Sequence, residues 1–383
     1  MGSNTPGARE VALIYSDELS HHTINDSHPL RPIRLHHAHA LMQACGLLDA
    51  PGVHQLPPRP ATQGEIERFH SRYYVEAVKA ISAGEPVPNM SAFGFGTGDN
   101  PPYPGVFESS ALATGSSIVA AESVESGHAA AFALAGGVHH HAMPERASGF
   151  GVFNDAVIAI KGLIEQGYRV AYVDIDCHHG DGVQLGFYDT DQVLTLSLHE
   201  SGQFLFPGTG AVSEIGVGKG EGYSVNVPLA PYTTDDVWLE SFDAVAPQII
   251  RAFKPDILFT QLGIDTHYKD PLTHMALTTQ GFQAAVQRLA VLGRETGKWV
   301  AVGGGGYDMS AVARGWTMAF AEMTGQELPE RVPESFTSLE GLTHFEDEPP
   351  PPLEDDIADQ VRAFAQRSVD QVREIFFPRF GLA

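Results

Sequence analysis

The sequence predicts an α/β fold: a single open parallel sheet with helices on both faces. Three observations carry this reading. Strand-like and helix-like segments alternate through most of the 383 residues. Arg169 to Ile175 is almost unbroken apolar, the pattern of a parallel strand covered on both faces. Four strand ends carry glycine, histidine, aspartate or tyrosine in place of an ordinary turn. A βαβα rhythm of this kind assembles into one parallel sheet with short crossovers.

Taken in order, Val11 to Tyr15 is a short apolar run and Arg34 to Ala44 has helical spacing. Ser110 to Ser126, rich in Ala, Ser and Val, predicts a helix. Ala129 to Leu134 predicts a buried strand entering Gly136-Gly137. Asn154 can cap a helix, and Asp155 suits its positive end. Ala156, Val157, Ile160, Leu163 and Ile164 then repeat with helical period, and Gly167 stands where a helix stops. After the Arg169 strand come a strand over Val193 to Leu198 and a helix over Val237 to Phe253. Asp256 to Leu262 predicts a strand, Thr279 to Thr296 a helix, and Trp299 to Val302 a strand that runs into four glycines. Residues 1–383 are expected to form one catalytic domain. Its 327–383 part is an acidic, Pro-rich segment, with prolines at 349–352, followed by a terminal helix. Val361, Phe364, Ser368, Val369, Val372 and Phe376 make the docking stripe of that helix.

The net charge is −24, from 47 acidic and 23 basic residues. It argues against general nucleic-acid binding, which needs a basic face to displace counterions. It suits basic ligands such as lysine side chains, or simply keeps the protein soluble. Two cysteines, Cys45 and Cys177, are too few for a disulfide framework, which fits a reducing, cytoplasmic compartment. No apolar run of about 18 residues is present, so no membrane span is expected. Met1 to Glu10 shows no leader pattern.

In open α/β sheets, sites form beyond the carboxyl ends of the strands. There the chain places His139-His140-His141, then Asp174-Ile175-Asp176-Cys177-His178-His179-Gly180-Asp181, then Gly263-Ile264-Asp265, and last Gly303 to Gly306 with Tyr307. Alternate side chains of an extended segment point the same way, so Asp174, Asp176 and His178 can converge. Carboxylate and imidazole without thiolate suits Zn²⁺ or Fe²⁺. Asp176, His178 and Asp265 would supply three ligands and leave a position open, the catalytic form of such a site. Neighbouring imidazoles offer a base and an acid partner, with Asp174 and Asp181 available to orient them. Tyr307, after the glycines, can donate a hydrogen bond to a developing oxyanion.

These motifs resemble the histone deacetylase superfamily, in particular its bacterial, acetoin-utilisation-type members. They are His140-His141-Ala142, Ala147-Ser148-Gly149-Phe150, Val173 to Gly182, Phe206-Pro207-Gly208-Thr209-Gly210, Gln261 to Asp265 and Gly303 to Tyr307, within a match from about Val11 to Gly325. The resemblance implies the arginase/deacetylase fold and zinc-dependent hydrolysis of acetyl-lysine or another acyl-lysine amide. It implies Asp176, His178 and Asp265 as metal ligands, and His140 and His141 as the tandem histidines backed by Asp174 and Asp181. Tyr307 is then the carbonyl-polarising tyrosine. Phe150 and Phe206, with Gly149, Leu272 and Gly305, would bound the acyl-lysine channel. Asp99 would hold the substrate backbone at the rim, and Arg34 would serve an internal acetate pocket. Structural potassium is implied at Asp174, Asp176, His178, Ser197 and Leu198, and at Phe187, Thr190, Val193 and Tyr223.

One departure stands out: three histidines occupy the place of two. Counting back from Ala147-Ser148-Gly149-Phe150 selects His140 and His141, whereas counting forward from Gly136-Gly137 selects His139 and His140. The following Ala142 favours the first. Besides an acylated protein or peptide, the substrate could be a small acylated amine such as an acetylpolyamine. A non-catalytic binder of acyl-lysine or metal is the alternative of another class. An arginase-like site would need a second metal, and the tandem histidines and Tyr307 speak against it.

Overall fold

The computed structural model describes residues 9–21, 24–25, 27–96 and 98–383. The leader reading of the first residues therefore lies largely outside the described residues. The strands are β1 (Val11–Ile14), β2 (Val53–Leu56), β3 (Ala130–Ala133), β4 (Val170–Asp174), β5 (Val193–Glu200), β6 (Ser224–Leu229), β7 (Ile257–Gln261) and β8 (Trp299–Val302). All pairs are parallel, in the order β2-β1-β3-β8-β7-β4-β5-β6. The helices are α1 (Ile33–Ala44), α2 (Gln63–Ile66), α3 (Arg72–Ser82), α4 (Val106–Glu125) and α5 (Asp155–Glu165). They continue with α6 (Asp181–Phe187), α7 (Asp235–Phe253), α8 (Thr279–Thr296), α9 (Met309–Thr324) and α10 (Asp355–Phe376).

Alternation along each strand sorts the core into two layers. Ala171 and Val173 of β4 join Leu35, Phe242, Phe282 and Trp316 on one face. Val170 and Tyr172 join Tyr74, Ile118 and Ile160 on the other. The single open parallel sheet is therefore as the sequence predicts. Asn154 caps α5 by accepting the Val157 N–H at 3.2 Å. Besides the short helices α2 and α6, four elements were not read from the sequence. They are the edge strand β2, half-open and polar at its centre; β6, whose Asn226 and Pro228 interrupt an apolar pattern; and helices α3 and α9. Pro228 is tolerated because β6 is an edge strand. Helix α4 begins four residues before Ser110, at Val106.

The order of the strands positions the site. From β4 the chain moves outward to β5 and β6, then returns to β7 and moves the opposite way to β8. The reversal lies between β4 and β7, where Asp174 pairs with Gln261. Crevices open at such switch points.

Helix α10 docks on β6 and α7 through Val361, Val369, Val372 and Phe376. The acidic segment before it has no helix or strand, and it buries one carboxylate, Asp347. Asp347 Oδ2 accepts from the Thr279 backbone at 2.9 Å and from His267 Nε2 at 2.7 Å. The guanidinium of Arg314 lies 2.9 Å from its Oδ1. His267 Nδ1 accepts the Lys269 N–H at 3.2 Å, which leaves the ring proton on Nε2 for Asp347. Despite burial, His267, the Thr279 N–H and Arg314 hold this carboxyl well below the usual range. Breaking a buried pair by removing one partner costs about 3–5 kcal/mol. Asp347→Ala is expected to lose stability of that order in urea unfolding at pH 7. A group with depressed folded pKa stabilises above its unfolded pKa, about 4 for Asp, and loses this as pH falls. The gap between wild type and Asp347→Asn should therefore be full at pH 6 and shrink below pH 4.

Candidate active site

Asp174 ends β4, and the next residues turn over the switch point. One ligand atom each from Asp176, His178 and Asp265 lies within 4.8 Å of the others. His178 Nδ1 stands 3.2 Å from Asp176 Oδ1 and 2.9 Å from Asp265 Oδ2. The other carboxylate oxygens are held by donors. Asp176 Oδ2 accepts from Gly305 N at 2.7 Å and Gln261 Nε2 at 2.6 Å, and Asp265 Oδ1 accepts from Cys177 N at 2.7 Å. Glycine is needed around them. A Cβ at Gly305 would stand 2.3 Å from Asp265 Oδ2, and one at Gly263 would stand 2.2 Å from Asp176 Oδ2. Two buried carboxylates and one imidazole, oriented by outer donors, fit a single divalent ion with bonds near 2 Å.

Beside this triad the rings of His140 and His141 lie 4.1 Å apart. His140 Nδ1 is 3.0 Å from Asp174 Oδ2, which also accepts the Tyr172 hydroxyl at 2.5 Å. His141 Nδ1 is 2.7 Å from Asp181 Oδ1. The two environments separate the pair. Burial alone would lower His140, but Asp176 and Asp174 outweigh it and hold the ring up at about 9. Burial and neighbouring His140 push His141 down to about 4, against the pull of Asp181. Oppositely shifted neighbours are the pattern of an acid and base pair.

Of the three histidines, His140 and His141 are the two that meet the carboxylates Asp174 and Asp181. His139 turns away from both carboxylates, and its Nδ1 accepts the Val152 N–H at 3.3 Å. It lines an adjoining cavity of about 80 Å³ together with Arg34. Arg34 is buried, donates to the Gly306 carbonyl at 2.9 Å, and lies 5.0 Å from the Trp316 ring.

A channel of about 210 Å³ leads to the triad. Asp99, Gly149, Phe150, Phe206, Leu272, Gly305 and Tyr307 all line it, with both paired histidines. Gly149 has φ +51, and a Cβ there would stand 2.4 Å from the His141 ring. Phe150 itself sits at φ +67, a conformation that side chains rarely adopt. Its ring meets Tyr307 edge-on at 5.6 Å, and Phe206 meets His141 at 5.0 Å. Burial pushes the Tyr307 phenol well above its usual range, so it stays protonated and able to donate.

The potassium-type residues fall in two places. Asp174 faces Ser197 across the β4–β5 ladder beside a cavity of about 10 Å³, and the Ser197 hydroxyl is 2.7 Å from His199 Nδ1. Phe187, Thr190 and Val193 belong to the α6–β5 connection, and the Tyr223 carbonyl there accepts the Thr195 N–H at 2.9 Å.

Sequence reasoning missed Asp270. Its Oδ2 accepts the Tyr307 N–H at 2.8 Å and its Oδ1 accepts the Leu272 N–H at 3.0 Å, so it ties the tyrosine to the channel wall. Its only sequence signal is a turn-forming Asp270-Pro271 pair.

Comparison with known proteins agrees with this geometry. Residues 28–323 match the histone deacetylase domain. The acetoin utilization protein AcuC of Bacillus subtilis (strain 168) is 39% identical over 331 residues, 85% of each chain. AcuC of Staphylococcus aureus (strain MRSA252) is 38% identical over 325 residues, 83% of each chain. The crystal structure of an HDAC homologue from Aquifex aeolicus superposes with TM-score 0.81 at 31% identity, over 94% of this chain and all of that one. An HDAC homologue complexed with SAHA gives TM-score 0.82 at 31% identity and the same coverage.

Proposed function

The chain belongs to the histone deacetylase family and is a hydrolase of amide bonds; from this premise we propose that it removes acetyl or other acyl groups from lysine side chains. The observation that carries the reading is the channel in which a three-ligand site, two oppositely shifted histidines and a tyrosine meet. Asp176, His178 and Asp265 would hold zinc, with ferrous iron as the alternative. When bound, the ion polarises the acyl carbonyl and makes a nearby water more acidic.

His141 is uncharged at neutral pH, and its Nδ1–H is engaged by Asp181, so Nε2 is the basic atom. It takes a proton from water as the water oxygen attacks the carbonyl carbon. The Tyr307 hydroxyl donates to the oxygen that becomes an oxyanion. His140, oriented by Asp174 at 3.0 Å, stands beside it. The C–N bond then breaks, and protonated His141 returns its proton to the lysine nitrogen. Acetate and free amine leave. Phe150 and Phe206 flank the aliphatic stem, and Asp99 binds the backbone at the rim. Arg34 serves the adjoining cavity.

Potassium is proposed as structural, at Asp174, Asp176, His178, Ser197 and Leu198 and at Phe187, Thr190, Val193 and Tyr223. The segment 327–383 is proposed to fold with the catalytic domain. Among the described residues no helix is long and apolar enough to cross a membrane, and a cytoplasmic location is proposed.

Zinc-loaded protein should hydrolyse an acetyl-lysine peptide, lose the activity to a metal chelator or to SAHA, and regain it with added zinc. Intact, zinc-loaded protein that turns over no acyl-lysine substrate would sink the proposal. Turnover restricted to acetylated polyamines would move it to a small-amine deacylase.

A further inference from the structure

The mouth of the channel exposes apolar surface that the buried chemistry does not require. Seven large hydrophobic side chains are exposed among the described residues. Three of them, Phe204 (51%), Phe206 (46%) and Tyr232 (51%), follow the ends of the adjacent strands β5 and β6, so the exposure is clustered. The two connections leave the sheet together. Ser201 N donates to the Leu229 carbonyl at 2.8 Å, and Phe204 and Tyr232 each stand three residues past that rung.

Both aromatics are held in place. Phe204 N donates to the Ser201 carbonyl at 2.8 Å, and its ring lies 6.2 Å from Phe364 of α10. Tyr232 N donates to the His274 carbonyl at 2.7 Å, and Tyr232 keeps a left-handed φ of +65. A tyrosine in that region costs free energy and persists where neighbours over-determine it, which points to a use for the exposed ring. His274 is itself anchored, with Nδ1 2.9 Å from the buried Glu200. Two residues before it, Leu272 lines the channel. The shelf thus has two rails, Phe206 to Phe204 and Leu272 to Tyr232, both starting in the channel wall. Rigid exposed aromatics bind partners at low entropic cost.

We propose that this shelf seats the polypeptide flanking the acylated lysine, and that the protein prefers an apolar or aromatic residue beside that lysine. The inference rests on the deacylase reading above. Continuity identifies the occupant: Phe206 lines the channel and is also exposed on the shelf, so a seated lysine brings its own backbone onto it. A small acylated amine would leave Phe204 and Tyr232 uncovered. The formal charge of −24 favours lysine-bearing peptides over acidic ones.

The test uses the full zinc-loaded chain and three substrates. They are blocked single acetyl-lysine, a peptide with Phe on both sides of the acetyl-lysine, and the same peptide with Ala there. The expected kcat/KM is about tenfold higher for the Phe peptide than for the Ala peptide, the size of a modest apolar contact. In the double variant Phe204→Ser with Tyr232→Asn, asparagine tolerating the left-handed position, the two peptides become equal while single acetyl-lysine is turned over as before. Equal rates in the wild type, or a preference that survives in the double variant, overturn the inference. So does a wild-type dimer in sedimentation that the double variant converts to monomer, because the shelf then belongs to a second copy. No turnover of any of the three substrates overturns the deacylase reading and this inference with it, whereas turnover without preference overturns the inference alone.

Discussion

His141→Ala lowers kcat of the zinc-loaded protein about 10²–10⁴-fold, the range for loss of a positioned general base. Metal stoichiometry stays at the wild-type value, because His141 is outside the triad of Asp176, His178 and Asp265. The pH dependence follows from the direction of the shift. A base works uncharged, and burial together with His140 pushes His141 down to about 4. The competent form is therefore complete at pH 7 and is lost as pH falls toward 4. The acid limb of the wild-type profile should disappear from the residual activity of His141→Ala. His139→Ala provides the contrast: it faces the adjoining cavity, so it should leave this limb in place. A His141→Ala enzyme with wild-type rate, or a larger loss in His139→Ala, would reassign the base.

Tyr307→Phe is expected to cost about 10²–10³-fold in kcat, or about 3–4 kcal/mol, the price of one preorganised oxyanion donor. The loss should fall on kcat with KM little changed, since the hydrogen bond strengthens only as the carbonyl becomes an oxyanion. The ring contact with Phe150 and the backbone bond to Asp270 do not need the hydroxyl, so the variant should melt like the wild type. Comparable kcat in the two proteins would remove Tyr307 from the chemistry.

Much of this site was legible because its signal is local. Asp174, Asp176 and His178 alternate on one short extended segment, and that spacing alone brings them together. Glycines 303 to 306 announce a close approach, which the Gly305 position against two carboxylates accounts for. What stayed hidden depends on contacts distant in sequence. Counting alone left His139 and His141 open, with only Ala142 favouring His141, because their surroundings are set by carboxylates 34 and 40 residues from His140 and His141 and by the turn of the chain at Val152. Asp270 lies 37 residues before the tyrosine it holds. Strand β6 was passed over since Asn226 and Pro228 break its apolar run, and only the neighbouring β5 reveals it. Nothing in the sequence marks Tyr232, which stands out only through its exposure and left-handed backbone.

The buried carboxylate of Asp347 changes what counts as the working unit. Every residue assigned to chemistry lies at or before Tyr307, and a chain cut after Thr324 would retain all of them. It would also strand three groups, namely a histidine two positions from Asp265, the first amide of α8, and Arg314 inside α9. Such a fragment carries the full inventory of the active site without the counter-charge that lets those groups be buried. Shortening in the acidic stretch is therefore expected to weaken the fold around the channel without touching a single residue that lines it.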